Sequence, residues 1–171
     1  CPGDPIETRE LVKESYTTYG PTYIRLGKNG EPNIHSEETK IKIGKSITVI
    51  DGNNFALITT SNMLETGKNW IEEWNQDGIN ASLISMPSLK PFDTQKIIDL
   101  IEKQIPIMVL EEHNVIGGLG SAVSEVVAKV GKPVKFKHIG INDKFSHVVG
   151  DHQFQKEKFG LVKKPSLEFL R

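Results

Sequence analysis

The stretch that most restricts the fold is residues 107–110, Ile-Met-Val-Leu. Four consecutive apolar residues with no polar alternation suit a strand buried on both faces, the setting of a parallel sheet. Similar strand-like runs stand at Ile47–Ile50, 55–60, 81–86 and 134–139. Helical periods lie between them. One opens at Ser61 or Asn62, carries Leu64, Gly67, Ile71 and Trp74 on one face, and ends at Gly78. The next is capped by Asp93 and carries Ile97, Ile98 and Ile101. The third spans 118–130, with Leu119, Val123, Val126, Val127 and Val130 inward. Asp51-Gly52-Asn53-Asn54 reads as the turn of a hairpin joining the first two strands. The order β-β-α-β-α-β-α-β predicts an α/β fold. It is a three-layer α/β/α sandwich on a mostly parallel five-stranded sheet with one antiparallel strand. The Phe and Leu residues of 143–171 are expected to dock as a final short helix.

The first 44 residues follow another pattern. Asp4-Pro5-Ile6-Glu7 reads as a helix start, with Asp4 as cap, Pro5 at the first position and Glu7 completing a capping box. Leu11, Val12 and Ser15 continue the helix until Gly20-Pro21 stops it. Residues 22–26 (TYIRL) read as a short strand. Residues 1–27 thus resemble the last helix and strand of a preceding domain. Residues 28–44 are polar and aperiodic, and read as an interdomain linker. The unit proper occupies 45–171. A helix and strand alone cannot bury their apolar surface, so 1–27 must lean on the main domain or on further chain. The abrupt start without Met suggests a piece of something longer.

Composition narrows the function. Lys+Arg total 21 against 22 Asp+Glu, for a net charge of -1, which gives no support to a surface for nucleic acid or anionic membranes. No apolar run approaches the roughly 20 residues that span a bilayer. CPGDPIETRE has neither the basic region nor the apolar core of a signal peptide. The one cysteine, Cys1, cannot form an internal disulfide, and a reducing cytoplasmic setting is expected.

Candidate site residues gather after the 107–110 strand. Glu111, Glu112 and His113 stand at its carboxyl end, where open α/β sheets place ligands. A histidine beside carboxylates can be a tuned acid or base. Equally, these side chains can cap the next helix or bridge to a neighbouring subunit. Gly117, Gly118 and Gly120 follow. Gly118-Leu119-Gly120 begins like G-x-G-x-x-G, but Val123 takes the third glycine position and no acidic residue ends the next strand. The dinucleotide fingerprint fails. Bare amides at a helix start can still hold an anion; the plainer alternative is a sharp turn that lets the helix pack close to the sheet. Arg25 and Lys28 put two cations at the end of the 22–26 strand, where they suit a phosphate or are ordinary surface charge. His138, His147 and His152 lack metal-ligand spacing, and His35 lies in the linker.

The run Glu111-Glu112-His113-Asn114-Val115-Ile116-Gly117-Gly118-Leu119-Gly120-Ser121-Ala122-Val123-Ser124-Glu125 resembles the C-terminal domain of transketolase-like enzymes, the group that includes 1-deoxy-D-xylulose-5-phosphate synthase. The 56–64 run resembles that family's second strand and turn, 85–93 its proline-bracketed loop, and 20–27 the end of the preceding pyrimidine-binding domain. The tail around Phe159-Gly160-Leu161 fits the family's end.

The resemblance implies a thiamine diphosphate enzyme with magnesium that transfers a two-carbon ketol unit between sugar phosphates, as a homodimer. It implies partners too, the diphosphate-binding and pyrimidine-binding domains, in the same chain or another subunit. This chain has no Gly-Asp-Gly followed at a distance by Asn-Asn, and lacks the body of the pyrimidine domain with its activating glutamate. No cofactor binding and no catalytic residue are expected in it alone. Lys28 falls where transketolases have an arginine on the substrate phosphate, and Arg25 matches one of the synthase's paired arginines. Glu112, His113, Gly117, Gly118 and Gly120 are expected at an interface or an anion. Two alternatives stand beside this reading: a separate anion- or nucleotide-binding regulatory module on the Gly117–Ser121 turn, and a 2-oxo-acid dehydrogenase component. Relatives of the latter kind usually lack the Glu-Glu-His run.

Overall fold

The computed structural model describes residues 1–28 and 30–171; Asn29, within the stretch read as a linker, lies outside the described residues. The elements run α1 (Pro5–Ser15), β1 (Ile47–Ile50), β2 (Ala56–Thr59), α2 (Met63–Gln76), β3 (Ser82–Ser85), α3 (Thr94–Glu102), β4 (Ile107–Asn114), α4 (Leu119–Val130), β5 (Phe136–Ile141) and α5 (His152–Lys158). A 3-10 turn, Glu168–Leu170, closes the chain.

The sheet has the order β1-β3-β2-β4-β5. β2, β3, β4 and β5 are parallel, and β1 alone runs antiparallel. Side-chain alternation along the buried strands builds two cores. Leu57 and Leu83 face one side, where Trp70, Ile71 and Trp74 of α2 and Leu161 of the tail meet them. Ile58, Ile84 and Val109 face the other, against Ile97 and Ile101 of α3 and Leu119 and Val123 of α4. Phe55 meets Trp74 edge to face with centroids 5.1 Å apart, an arrangement that aligns ring edge with ring face. The three-layer sandwich with one antiparallel strand is therefore observed.

Four expectations need correction. β1 and β2 are not a hairpin: β1 pairs with β3, Ile47 opposite Ser85. The Asp51–Asn54 turn instead carries the chain past β3, and its amides at Asn53 and Asn54 donate to the Asn80 carbonyl. Local turn chemistry specifies a reversal but not the neighbour. Residues 22–26 form no strand; Tyr23 and Leu26 are exposed. The apparent capping box is displaced by one residue. Asp4 does cap α1 through the Glu7 amide, but the Glu7 carboxylate accepts from the Gly3 N–H. Asp93 sits at the start of α3 without capping it, because its carboxylate accepts from the Ser46 amide and hydroxyl at 2.8 and 2.9 Å.

The segment before β1 leans on the sheet's carboxyl end. The Cys1 carbonyl accepts from the Ser61 amide after β2, and the Ser85 hydroxyl at the end of β3 donates to Glu7. Ile6 and Leu11 of α1 pack with Ile41, so the polar stretch contributes its own apolar anchor.

Candidate functional site

β4 continues as a strand through Asn114, so Glu111, Glu112 and His113 lie within it. Glu111 points inward and is 1% exposed. Its carboxylate accepts the Leu119 N–H at 2.7 Å and the Gly120 N–H at 2.8 Å. His138 of β5 places Nε2 2.8 Å from the same carboxylate. Burial pushes the carboxyl up, but the His138 ring and the two amides outweigh it and hold Glu111 below its ordinary range. A buried carboxylate thus satisfies the positive N-terminus of α4.

The glycines are shaped around that carboxylate. Gly117 adopts φ +81, a left-handed conformation that L side chains resist. A Cβ on Gly118 would stand 2.1 Å from Glu111 Oε2, and one on Gly120 would stand 2.3 Å from the His138 ring. The helix-start amides that an outside anion would need at Leu119 and Gly120 are already taken by Glu111.

Glu112 and His113 face elsewhere. The sheet order reverses between β2 and β4: α2 leads from β2 to β3 on one side, and α4 leads from β4 to β5 on the other. Open α/β sheets hold ligands in such crevices. Here internal groups occupy it. The Asn62 amide donates to Glu112, and His152 Nε2 of α5 lies 2.8 and 2.9 Å from the two Glu112 oxygens. Arg25 Nη2 donates to the Glu112 carbonyl at 3.0 Å. The His113 ring, its Nδ1 donating to the Asn114 carbonyl, forms part of the wall of a cavity of about 830 Å³. Tyr19, Tyr23, Arg25, Ser88 and Lys90 form other parts of that wall.

The structure therefore brings Arg25, Glu112 and His113 to one place and sets Gly117, Gly118 and Gly120 around Glu111. Lys28 is exposed and outside the cavity wall. Nothing local in the sequence marks Asn62, His138 and His152 as partners of the Glu-Glu run. His138 lies 27 residues from Glu111 and His152 lies 40 from Glu112, separations at which no local pattern links two side chains. The Gly118–Gly120 pair was the available signal, since paired glycines mark a close approach.

Among the described residues, no three or more His, Cys, Asp or Glu side chains gather to hold a metal ion. The contiguous Asp51-Gly52-Asn53-Asn54 is engaged in its own turn, with Asn54 Oδ1 accepting the Asn80 N–H. No described helix is long and apolar enough to cross a membrane.

The model of the family described as "Transketolase, C-terminal domain" matches residues 44–160. The chain belongs to this family. One subunit of the apulose-4-phosphate transketolase of Actinobacillus succinogenes is 29% identical to it over 94% of this chain and 52% of that protein. The 6-deoxy-6-sulfo-D-fructose transketolase subunit SqwH of a Clostridium species is 31% identical over 95% and 50% respectively. A solved structure described as "Split gene transketolase, inactive beta4 tetramer" superposes with a TM-score of 0.86 at 32% identity, covering 94% of this chain and 52% of that one. This transketolase C-terminal domain chain thus spans about half the length of the curated relatives it matches. Transketolase-type enzymes are transferases that use thiamine diphosphate and a divalent metal.

Proposed function

We propose that this chain is the C-terminal part of a transketolase-type enzyme that moves a two-carbon ketol unit between sugar phosphates. It contributes architecture and dimer contacts and does not turn over alone. The observation that carries this reading is the internal engagement of every carboxylate in the Glu-Glu run: Glu111 holds α4 and Glu112 holds Asn62 and His152. Both are bound to groups of this same chain. A relative described as an inactive β4 tetramer supports the inactivity of such a part by itself. In this reading residues 1–27 end the pyrimidine-binding domain and 28–44 link it to the present one. Thiamine diphosphate and magnesium are then held by a diphosphate domain and a pyrimidine domain, in the same chain or a partner subunit of a cytoplasmic homodimeric enzyme. Calorimetry tests it: the isolated chain is expected to show no thiamine diphosphate–magnesium binding, and addition of the missing segments to restore it. Tight cofactor binding by this chain alone overturns it.

Arg25 and Lys28 are the proposed contacts for the substrate's anionic group. The two relatives' names specify a phosphorylated and a sulfonated sugar, both anions. Arg25 faces the cavity and Lys28 is unburied, open to a ligand or a neighbouring domain. In the assembled enzyme, Arg25→Ala and Lys28→Ala are expected to raise KM for an anionic sugar about tenfold with a smaller change in kcat, as for loss of a charge-assisted hydrogen bond. An unchanged KM for both removes the assignment. The anion-module alternative loses its basis, because Glu111 occupies the amides it needs.

A further inference from the structure

A second cluster of ionisable groups lies away from β4. Asp4, the cap of α1, Glu7 of α1, His35 of the segment before β1 and Ser85 of β3 are all buried, Glu7 and Ser85 completely. Glu7 spans two parts of the chain. One of its oxygens accepts the Gly3 N–H at 2.6 Å and the other accepts the Ser85 hydroxyl at 2.5 Å. His35 sits between the two carboxylates. Its Nδ1 is 3.0 Å from Asp4 Oδ2, and its Nε2 is 3.6 Å from Glu7 Oε1. Asp4 Oδ2 also accepts the Ile34 and His35 amides.

The protonation state of the ring follows from this geometry. Asp4 Oδ2 can only accept, so Nδ1 carries a proton. In a neutral ring Nε2 is then a bare acceptor, buried and without a hydrogen-bond partner among the described residues, facing a carboxylate oxygen. Both features are unfavourable. A second proton makes Nε2 a donor and puts a cation beside the Asp4 carboxylate and against Glu7, whose own carboxyl is pushed up by burial and steadied as an anion by that cation. Burial alone lowers the ring's affinity for that proton, but Asp4 and Glu7 outweigh it, so the direction is upward. The other charge near Glu7 is the Cys1 amino group. β3 brings only the Ser85 hydroxyl to the cluster, and Arg9 of α1 turns outward to Glu37 and Glu10.

We propose that Asp4, Glu7, His35 and Ser85 form a proton-dependent clamp that fastens the segment before β1 to the carboxyl end of β3 and loosens as His35 loses its second proton. The clamp is independent of the ketol-transfer reading. It also bears on the cavity, because Glu7 grips Gly3 beside Pro2 on one wall and Ser85 next to the Pro87–Ser88 stretch on another. A group whose proton affinity is raised on folding contributes stability below its unfolded value, near pH 6.5 for histidine, and loses it as pH rises through the folded value. The clamp is therefore closed at mildly acid pH and opens on the alkaline side.

The test uses the full-length protein. Hydrogen exchange, corrected for intrinsic rates, is followed from pH 6 to pH 9. Protection of residues 3–12 and 34–43 is expected to fall severalfold, while the β4 amides at 107–110 hold steady. His35→Gln is expected to remove that fall. The His35 ring, read by NMR in the wild type, is expected to be doubly protonated at pH 6.5. Flat protection across the range, a singly protonated ring at pH 6.5, or an unchanged fall in His35→Gln each overturns the clamp. The wild-type measurements decide the matter even if the variant fails to fold.

Discussion

Glu111 shows how one carboxylate can look catalytic in sequence and act as a helix cap in the fold. Two amides and an imidazole surround it, so nothing in its first contacts is left to bind a substrate. Glu111→Ala is expected to cost about 2–3 kcal/mol in urea unfolding, the range for hydrogen bonds to a buried charge. Because its proton affinity is lowered on folding, that contribution is complete above pH 4.5 and fades as pH falls through the folded value. The gap between wild type and Glu111→Gln should therefore close in acid; a gap that stays constant contradicts the cap. Gly118→Ala and Gly120→Ala should each lose about 1–3 kcal/mol by overpacking, since a methyl has no room against Glu111 or His138. Spacing already named both glycines; the residues that made them necessary lay too far along the chain to be seen.

The tail is stabilised as an element by a few fixed points. Leu161 is buried against the α2 core, the Trp70 indole N–H donates to the Val162 carbonyl, and Phe169 meets Phe55 edge to face. Asp151 caps α5 through the Phe154 amide, and His152 ties it to Glu112. Leu161→Ala is expected to lower stability by about 2–4 kcal/mol, through lost burial and the cavity left behind. The sheet edge teaches the opposite lesson about local signals. A strong turn motif sits between β1 and β2, yet β1 pairs with β3, because the β2 edge is already filled by parallel partners on both sides. Residues 22–26 have strand-like composition but pair with no strand among the described residues, and remain irregular.

At the level of the whole chain, the buried charges act in opposite directions. Asp4 and Glu111 bind protons less readily than in the unfolded chain. Burial pushes Asp4 up, and the His35 ring with three backbone amides more than reverses it. His35 and Glu7 bind protons more readily, Glu7 chiefly through burial. Stability should thus fall in acid below about pH 4 as Asp4 and Glu111 take up protons, while the contribution of Glu7 fades as pH rises above its unfolded value of 4.5 and that of His35 above 6.5, giving a bell-shaped profile of melting temperature against pH. A profile that keeps rising beyond pH 8 contradicts the His35 contribution. Much of this molecule was legible beforehand. An apolar run at 107–110, helical periods in 63–76, 94–102 and 119–130, and glycines at the turns determine element type and order, because backbone hydrogen bonding and side-chain period act over a few residues. The same local chemistry placed Glu112 and His113 at the carboxyl end of β4, whereas the strand expected to carry Arg25 did not form. The tertiary structure alone decided which strand β1 joins, that His35 is enclosed by Asp4 and Glu7 instead of lying in a solvated linker, and that the acidic run is turned inward on α4 and α5. Those outcomes depend on contacts between groups tens of residues apart, whose free energy exists only once the sheet and its helices have brought them together.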